Sequence, residues 1–208
     1  MVNPTGPAPH RDVRTLVLAS TSRHRRALLA RLGLPFEVVA PSVDEEPLPG
    51  ENPGRTALRL AEAKARSVAA RSAPALIIGS DQVADCDGRP VGKPGDRTRA
   101  HAMLSELSGR AVVFHTGIAL LDTTSGRCET ALIDVRSTFR SLDDGEITAY
   151  LDREEPYDCA GAVKSEGLGI ALFEAIESDD PTALIGLPLI ALTSMLRNAG
   201  VAILAPRE

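Results

Sequence analysis

Seven consecutive residues, Ser20-Thr21-Ser22-Arg23-His24-Arg25-Arg26, set hydroxyl groups directly ahead of a cluster of cations. If a helix begins there, its free N–H groups and its macrodipole favour an anion. Arginines in that first turn are then misplaced unless something negative sits beside them. Hydroxyls, N–H groups and guanidinium forks together suit a phosphate. A solvated helix with its arginines in water fits the same string. Lys64 is the second candidate. Its neighbours at helical spacing, Ala57, Leu60, Ala61 and Val68, are apolar, so the lysine falls inside the stripe that a helix would bury. It either snorkels or points into a cleft. Asp81 follows the apolar run Leu76-Ile77-Ile78, at the end of a predicted strand. Ligands of α/β sheets bind at such strand ends, although Asp is an ordinary turn residue too. Lys93 stands between Gly92 and Pro94, which can display it toward a phosphate or simply make a surface turn. Asp44-Glu45-Glu46 is an acidic run, either solvated or a source of the hard oxygen ligands that Mg²⁺ and Mn²⁺ prefer. Cations for phosphates, with carboxylates for a metal and a water, form an inventory suited to phosphoanhydride hydrolysis.

These groups need elements to hold them. Residues 15–19 read as a buried strand, and residues 23–32 as a helix capped by Ser20 to Ser22 and stopped by Gly33. Residues 36–40 form a second strand. Residues 44–53, with three prolines and four acids, are a loop, and residues 53–70 follow a helical pattern. A strand over residues 76–81 leads to the hairpin signal Asp87-Gly88, then a helix over residues 98–107. Residues 111–121 and 128–139 are β-rich, and residues 143–151 and 189–198 are helical, the last ended by Gly200. Strands and helices interleave without strict alternation, which predicts an α/β fold with a mixed sheet flanked by helices. Residues 14–208 are expected to form one domain behind a disordered tail, residues 1–13.

Composition narrows the class. The chain has 208 residues, 43% hydrophobic and 25% charged, enough to bury a core. Aromatics reach only 3%, so that core must be Leu, Val, Ile and Ala. A net charge of −5 argues against a nucleic-acid polymer as partner, while a single phosphorylated ligand needs only a local cluster of cations. Cys86, Cys128 and Cys159 are odd in number and show no CxxC spacing, which fits a reducing cytoplasm better than a disulfide framework. No apolar run is long enough to span a membrane, and residues 1–12 lack an apolar h-region, so they do not read as a signal peptide. The P-loop string, the dinucleotide fingerprint, HExxH and GxSxG are all missing from the sequence.

Taken in order, the motifs resemble the Maf nucleotide pyrophosphatases from Leu16 to Gly200. The matching strings are Leu18-Ala19-Ser20-Thr21-Ser22 with Arg25-Arg26, Val43-Asp44-Glu45, the Lys64 stretch, Gly79-Ser80-Asp81-Gln82 and Gly92-Lys93-Pro94. Leu107-Ser108-Gly109, Thr116-Gly117, Phe139-Arg140, Ala160-Gly161 and Ile185-Gly186-Leu187-Pro188 continue the series. The resemblance implies two lobes around a central cleft, in the elongated fold shared with inosine triphosphatase, and often a homodimer. It implies that Ser20, Arg25, Arg26, Lys64 and Lys93 bind a triphosphate. Glu45 and Asp81 would hold a divalent cation (Mg²⁺, Mn²⁺ or Co²⁺), with Asp81 as catalytic base. Cleavage would fall between the α- and β-phosphates.

Within that family the chain is similar to the subgroup acting on 7-methyl-GTP, through Ser80-Asp81-Gln82, Phe114-His115-Thr116-Gly117 and Cys159-Ala160-Gly161 leading to Lys164-Ser165-Glu166-Gly167. The sibling group acts on dTTP and UTP and has Gln where Glu166 stands. The resemblance makes His24, Gln82 and Glu166 the specificity residues. One departure is His24, at a position where the subgroup carries Trp. N7-methylation makes guanine cationic, so a carboxylate and a flat π-face are the partners it calls for. Glu166 could accept from the N1–H and N2 amine of guanine; unaided by the resemblance it reads as a loop acid. Besides the dTTP and UTP alternative, a nucleotide-binding regulator of cell division without turnover stays open. Retention of Glu45, Lys64, Asp81 and Lys93 favours the enzyme.

Overall fold

A computed structural model describes residues 14–72 and 74–204, and the tail expected over residues 1–13 lies outside them. The elements run β1 (Thr15–Ala19), α1 (Arg23–Ala30), β2 (Glu37–Val39), α2 (Pro53–Val68), β3 (Ala75–Cys86) and β4 (Arg89–Val91). They continue with α3 (Arg97–Leu107), β5 (Ala111–Asp122), β6 (Cys128–Phe139), α4 (Asp144–Glu154), β7 (Phe173–Glu177) and α5 (Leu189–Asn198). The sheet has the order β2-β1-β3-β5-β6-β7, with β4 also paired to β3. β2, β1 and β3 run parallel, and the remaining pairs are antiparallel. This is the mixed α/β sheet flanked by helices that the pattern predicts.

Local chemistry accounts for the boundaries near the cleft. Ser22 caps α1 by accepting from the Arg25 amide, and Asn52 caps α2 ahead of Pro53 at its first position. Asp87 and Gly88 both take positive φ, 52° and 78°, as a tight hairpin between β3 and β4 requires.

The strand bearing Asp81 is longer than its apolar run. β3 runs on to Cys86, because Asp81 to Asp85 stay paired with β5. Asp81 is therefore mid-strand, and the expectation that it ends a strand is corrected. The strand that ends here is β1, whose Ala19 lies opposite Gly79. β4 rejoins the same edge of β3 only at Ala84. Between them, among the described residues, Ser80 to Val83 have no strand partner on that edge, and the cleft opens at this gap.

Three apolar clusters surround the gap. Leu16, Leu18, Ile78 and Ile118 pack with α1 and α5 residues such as Leu28 and Leu192. Ala84, Phe114 and Val135 pack with α3 and α4 residues such as Leu104 and Leu151. These two cores define the lobes. A polar row separates them. Ser80 Oγ donates to the Gly117 and Gly186 carbonyls, both at 2.9 Å, and Thr116 Oγ1 donates to the Ala183 carbonyl at 3.0 Å. The third cluster joins Ala61, Ala65 and Val68 of α2 to Val17, Ile77 and Ala119 on the opposite face. There α2 lies directly on the sheet backbone. A Cβ on Gly79 would stand 2.0 Å from the Ala61 carbonyl oxygen, and one on Gly117 would stand 2.4 Å from that of Ala57. Two glycines on neighbouring strands thus lower the helix that carries Lys64.

Candidate active site

The cleft encloses about 1080 Å³. Its walls come from the end of β1 and the start of α1 (Ser20 to Arg25), from Asp81 to Val83 at the gap, and from Pro90 to Lys93. Glu45, Glu51, Lys64, residues 154–155, 157–160 and 163–166, and residues 184–186 also line it.

Lys64 and Asp81 meet at its floor. Lys64 is 5% exposed and Asp81 8%. The Lys64 ammonium lies 2.6 Å from Asp81 Oδ1 and 2.6 Å from Glu45 Oε1. The lysine therefore points into the cleft and does not snorkel. Burial alone would raise the Glu45 carboxyl. The Lys64 hydrogen bond and the charges of Lys64, Lys93 and Arg25 overcome it and hold the group below the usual carboxylate range.

Ser20 is buried, and its Oγ accepts from the Ser22 amide at 3.1 Å. Arg25 faces the cleft and donates from Nε to the Gly186 carbonyl at 2.8 Å. Burial pushes its guanidinium down while Asp81 and Glu45 oppose the shift. Lys93 also lines the cleft, with no hydrogen-bond or ion-pair partner among the described residues. Its loop is tied to the facing wall by Gly161 N–H to the Gly92 carbonyl and Gly95 N–H to the Tyr157 carbonyl.

Arg26 is different. It is exposed and is not among the cleft-lining residues, one helical step of about 100° past Arg25. Arg23, to which the motifs assign no role, lines the cleft instead. The spacing holds a usable signal, because Arg25 shares helical phase with the buried Leu28 and Leu29.

The specificity candidates are brought together in part. His24 Nδ1 stands 2.5 Å from Glu166 Oε1, and His24 Nε2 accepts from Arg23 Nε at 3.2 Å. The ring thus donates through Nδ1 and orients the Glu166 carboxylate. Gln82 lines the cleft, but its amide nitrogen is committed to Thr116 Oγ1 and to the Ala183 and Leu184 carbonyls. It anchors the segment that crosses between the lobes.

Sequence reasoning misses the supports. Asp180, 2% exposed, accepts from the Thr182, Ile190 and Ala191 amides and from Thr182 Oγ1, so it caps α5 from a distance. Glu154 accepts from the Leu168 amide at 2.7 Å and fixes the loop bearing Glu166. Neither contact leaves a local sequence signal. Cys159 lines the cleft, and burial with the nearby Asp158 pushes its thiol up to about 12, which favours the neutral thiol there.

Among the described residues, no group of three or more His, Cys, Asp or Glu side chains converges on a metal position. Glu45 and Asp81 nevertheless offer carboxylate oxygens to one common point, bridged by an ammonium. Mg²⁺ is commonly held by one or two carboxylates plus substrate phosphates, so this pair fits a cation that arrives with a nucleotide.

The fold and cleft define an α/β protein with Arg25, Lys64 and Lys93 lining a cleft between two lobes. Residues 15–199 match the family model described as Maf-like protein, and the chain belongs to that family. A 7-methyl-GTP pyrophosphatase of Ralstonia nicotianae is 60% identical over 88% of this chain and 94% of its own length. One of a Polaromonas species is 59% identical over 93% and 89%, and one of Burkholderia pseudomallei 61% over 89% and 87%.

Proposed function

We propose that the protein hydrolyses 7-methyl-GTP to 7-methyl-GMP and pyrophosphate. The polarity of the cleft carries this reading. Arg25, Lys64 and Lys93 gather around Glu45, while Asp158 and Glu166, with Lys164 beside them, gather around Cys159 on the cleft wall. A triphosphate suits the first and a cationic base the second. The names of the relatives at about 60% identity point the same way.

In the reaction, water adds to the α-phosphorus and its proton passes to Asp81. The bond from that phosphorus to the α–β bridging oxygen breaks, and pyrophosphate leaves. Arg25, Lys64 and Lys93 stabilise charge on the phosphate oxygens. A divalent cation held by Glu45 and Asp81 would supply further charge neutralisation. His24 holds one Glu166 oxygen, leaving the other to accept from the guanine edge. Three free cysteines support a reducing, cytoplasmic setting.

The test is a panel of 7-methyl-GTP, GTP, dTTP and UTP with Mg²⁺, Mn²⁺ or Co²⁺, following pyrophosphate release by wild type and Glu166→Gln. Wild type should release one pyrophosphate per 7-methyl-GTP consumed. Glu166→Gln should lower the kcat/KM ratio of 7-methyl-GTP to UTP about tenfold or more, since a donor facing a donor costs about 1–3 kcal/mol once the bound base covers it. Orthophosphate as first product, or no turnover on the whole panel, would overturn the reading.

A further inference from the structure

Residues 41–52 form a loop without helix or strand, yet they bring Glu45 within 2.6 Å of a buried ammonium. The loop is fixed from α2. The Glu51 carboxylate accepts from Arg59 Nε at 2.7 Å, Arg59 Nη2 at 2.8 Å, Thr56 Oγ1 at 2.9 Å and the Leu48 amide at 3.1 Å. Arg59 Nη2 also donates to the Glu46 carbonyl at 3.1 Å, one residue from Glu45. A single guanidinium therefore ties both the far end of the loop and the neighbour of Glu45 to the helix that carries Lys64. Arg59 itself is not among the residues lining the cleft. The Arg59 hydrogen bonds hold the Glu51 carboxyl at about 2, so the clamp is ionised throughout the neutral range.

We propose that Arg59 and Glu51 are positioning residues that hold Glu45 in place for the metal–nucleotide complex. The inference rests on the reading of Glu45 as a metal ligand. Lysine cannot replace Arg59, because an ammonium does not form a planar fork reaching a carboxylate and a carbonyl together.

The test measures Mn²⁺ binding by the electron paramagnetic resonance of free Mn²⁺, with the α,β-methylene analogue of 7-methyl-GTP present. Arg59→Ala and Arg59→Lys should each weaken Mn²⁺ binding about tenfold, as loss of outer support for a metal ligand commonly does. In a Glu45→Gln background the same changes should add less than about twofold, because the ligand they position is gone. An equal loss in both backgrounds, or no loss with Glu45 present, overturns the clamp. If Glu45→Gln alone leaves Mn²⁺ binding unchanged, the reading of Glu45 fails and the inference falls with it. Should Arg59→Ala not fold, Arg59→Lys carries the same comparison.

Discussion

At the scale of single residues, Lys64 carries the sharpest consequence. Its ammonium occupies the point that Glu45 and Asp81 both face, at 2.6 Å from each. A divalent cation seeking those oxygens must displace it, and phosphate oxygens are the natural acceptors for the displaced ammonium. Lys64→Met should therefore raise Mn²⁺ affinity in the absence of nucleotide about tenfold, which corresponds to about 1.4 kcal/mol. It should also lower kcat/KM by roughly ten- to a thousandfold. Equal Mn²⁺ affinity in both proteins, measured without nucleotide, would show that the lysine does not compete. The burial of Lys64 is legible in the sequence because Ala57, Leu60, Ala61 and Val68 share its helical face. Its partners are not, because Glu45 and Asp81 arrive from a separate loop and strand.

At the scale of elements, the approach of α2 to the sheet decides where Lys64 ends. A methyl group on Gly117 would meet the Ala57 carbonyl oxygen at 2.4 Å and the Leu58 nitrogen at 2.8 Å, both backbone atoms. Gly117→Ala should destabilise by about 1–3 kcal/mol or more through overpacking. A Tm lower by several degrees, roughly 2–4 °C per kcal/mol at this size, is the expected reading. Adding Ala57→Gly should not restore it, since trimming that side chain leaves the carbonyl in place; a restored Tm would contradict the backbone clash. Helices and the long β5 and β6 strands are readable from periodicity and turn residues. The pattern makes β3 too short, because Asp81, Gln82 and Asp85 interrupt its apolar run while pairing with β5 sustains the strand. β7 leaves no usable signal, as its Phe173-Glu174-Ala175-Ile176-Glu177 string is short and acidic, and among the described residues only β6 gives it a partner.

At the scale of the whole molecule, the net charge of −5 is legible, but not which carboxylates the fold holds ionised. Arginine hydrogen bonds lower Glu51 and Glu146. At Glu45, Asp122 and Asp158 burial works the other way, and hydrogen bonds, together with the separate charge of nearby cations, overcome it. These groups lie in both lobes and on the cleft wall. Each has a folded value below its unfolded one, so as pH falls the unfolded chain takes up protons first. Their stabilisation is complete above the unfolded carboxylate range, about 4. It fades as pH drops, for Glu51 through about 2. Tm should therefore be nearly flat from pH 7 to about 5 and fall steadily below about 4. Glu51→Gln removes the most strongly depressed of these carboxyls. Its Tm should start lower at about pH 7 and then decline less steeply between about pH 4 and about pH 2 than that of wild type. Calorimetry of the two proteins across that range checks the sign, and parallel curves would show that Glu51 has the same proton affinity folded and unfolded.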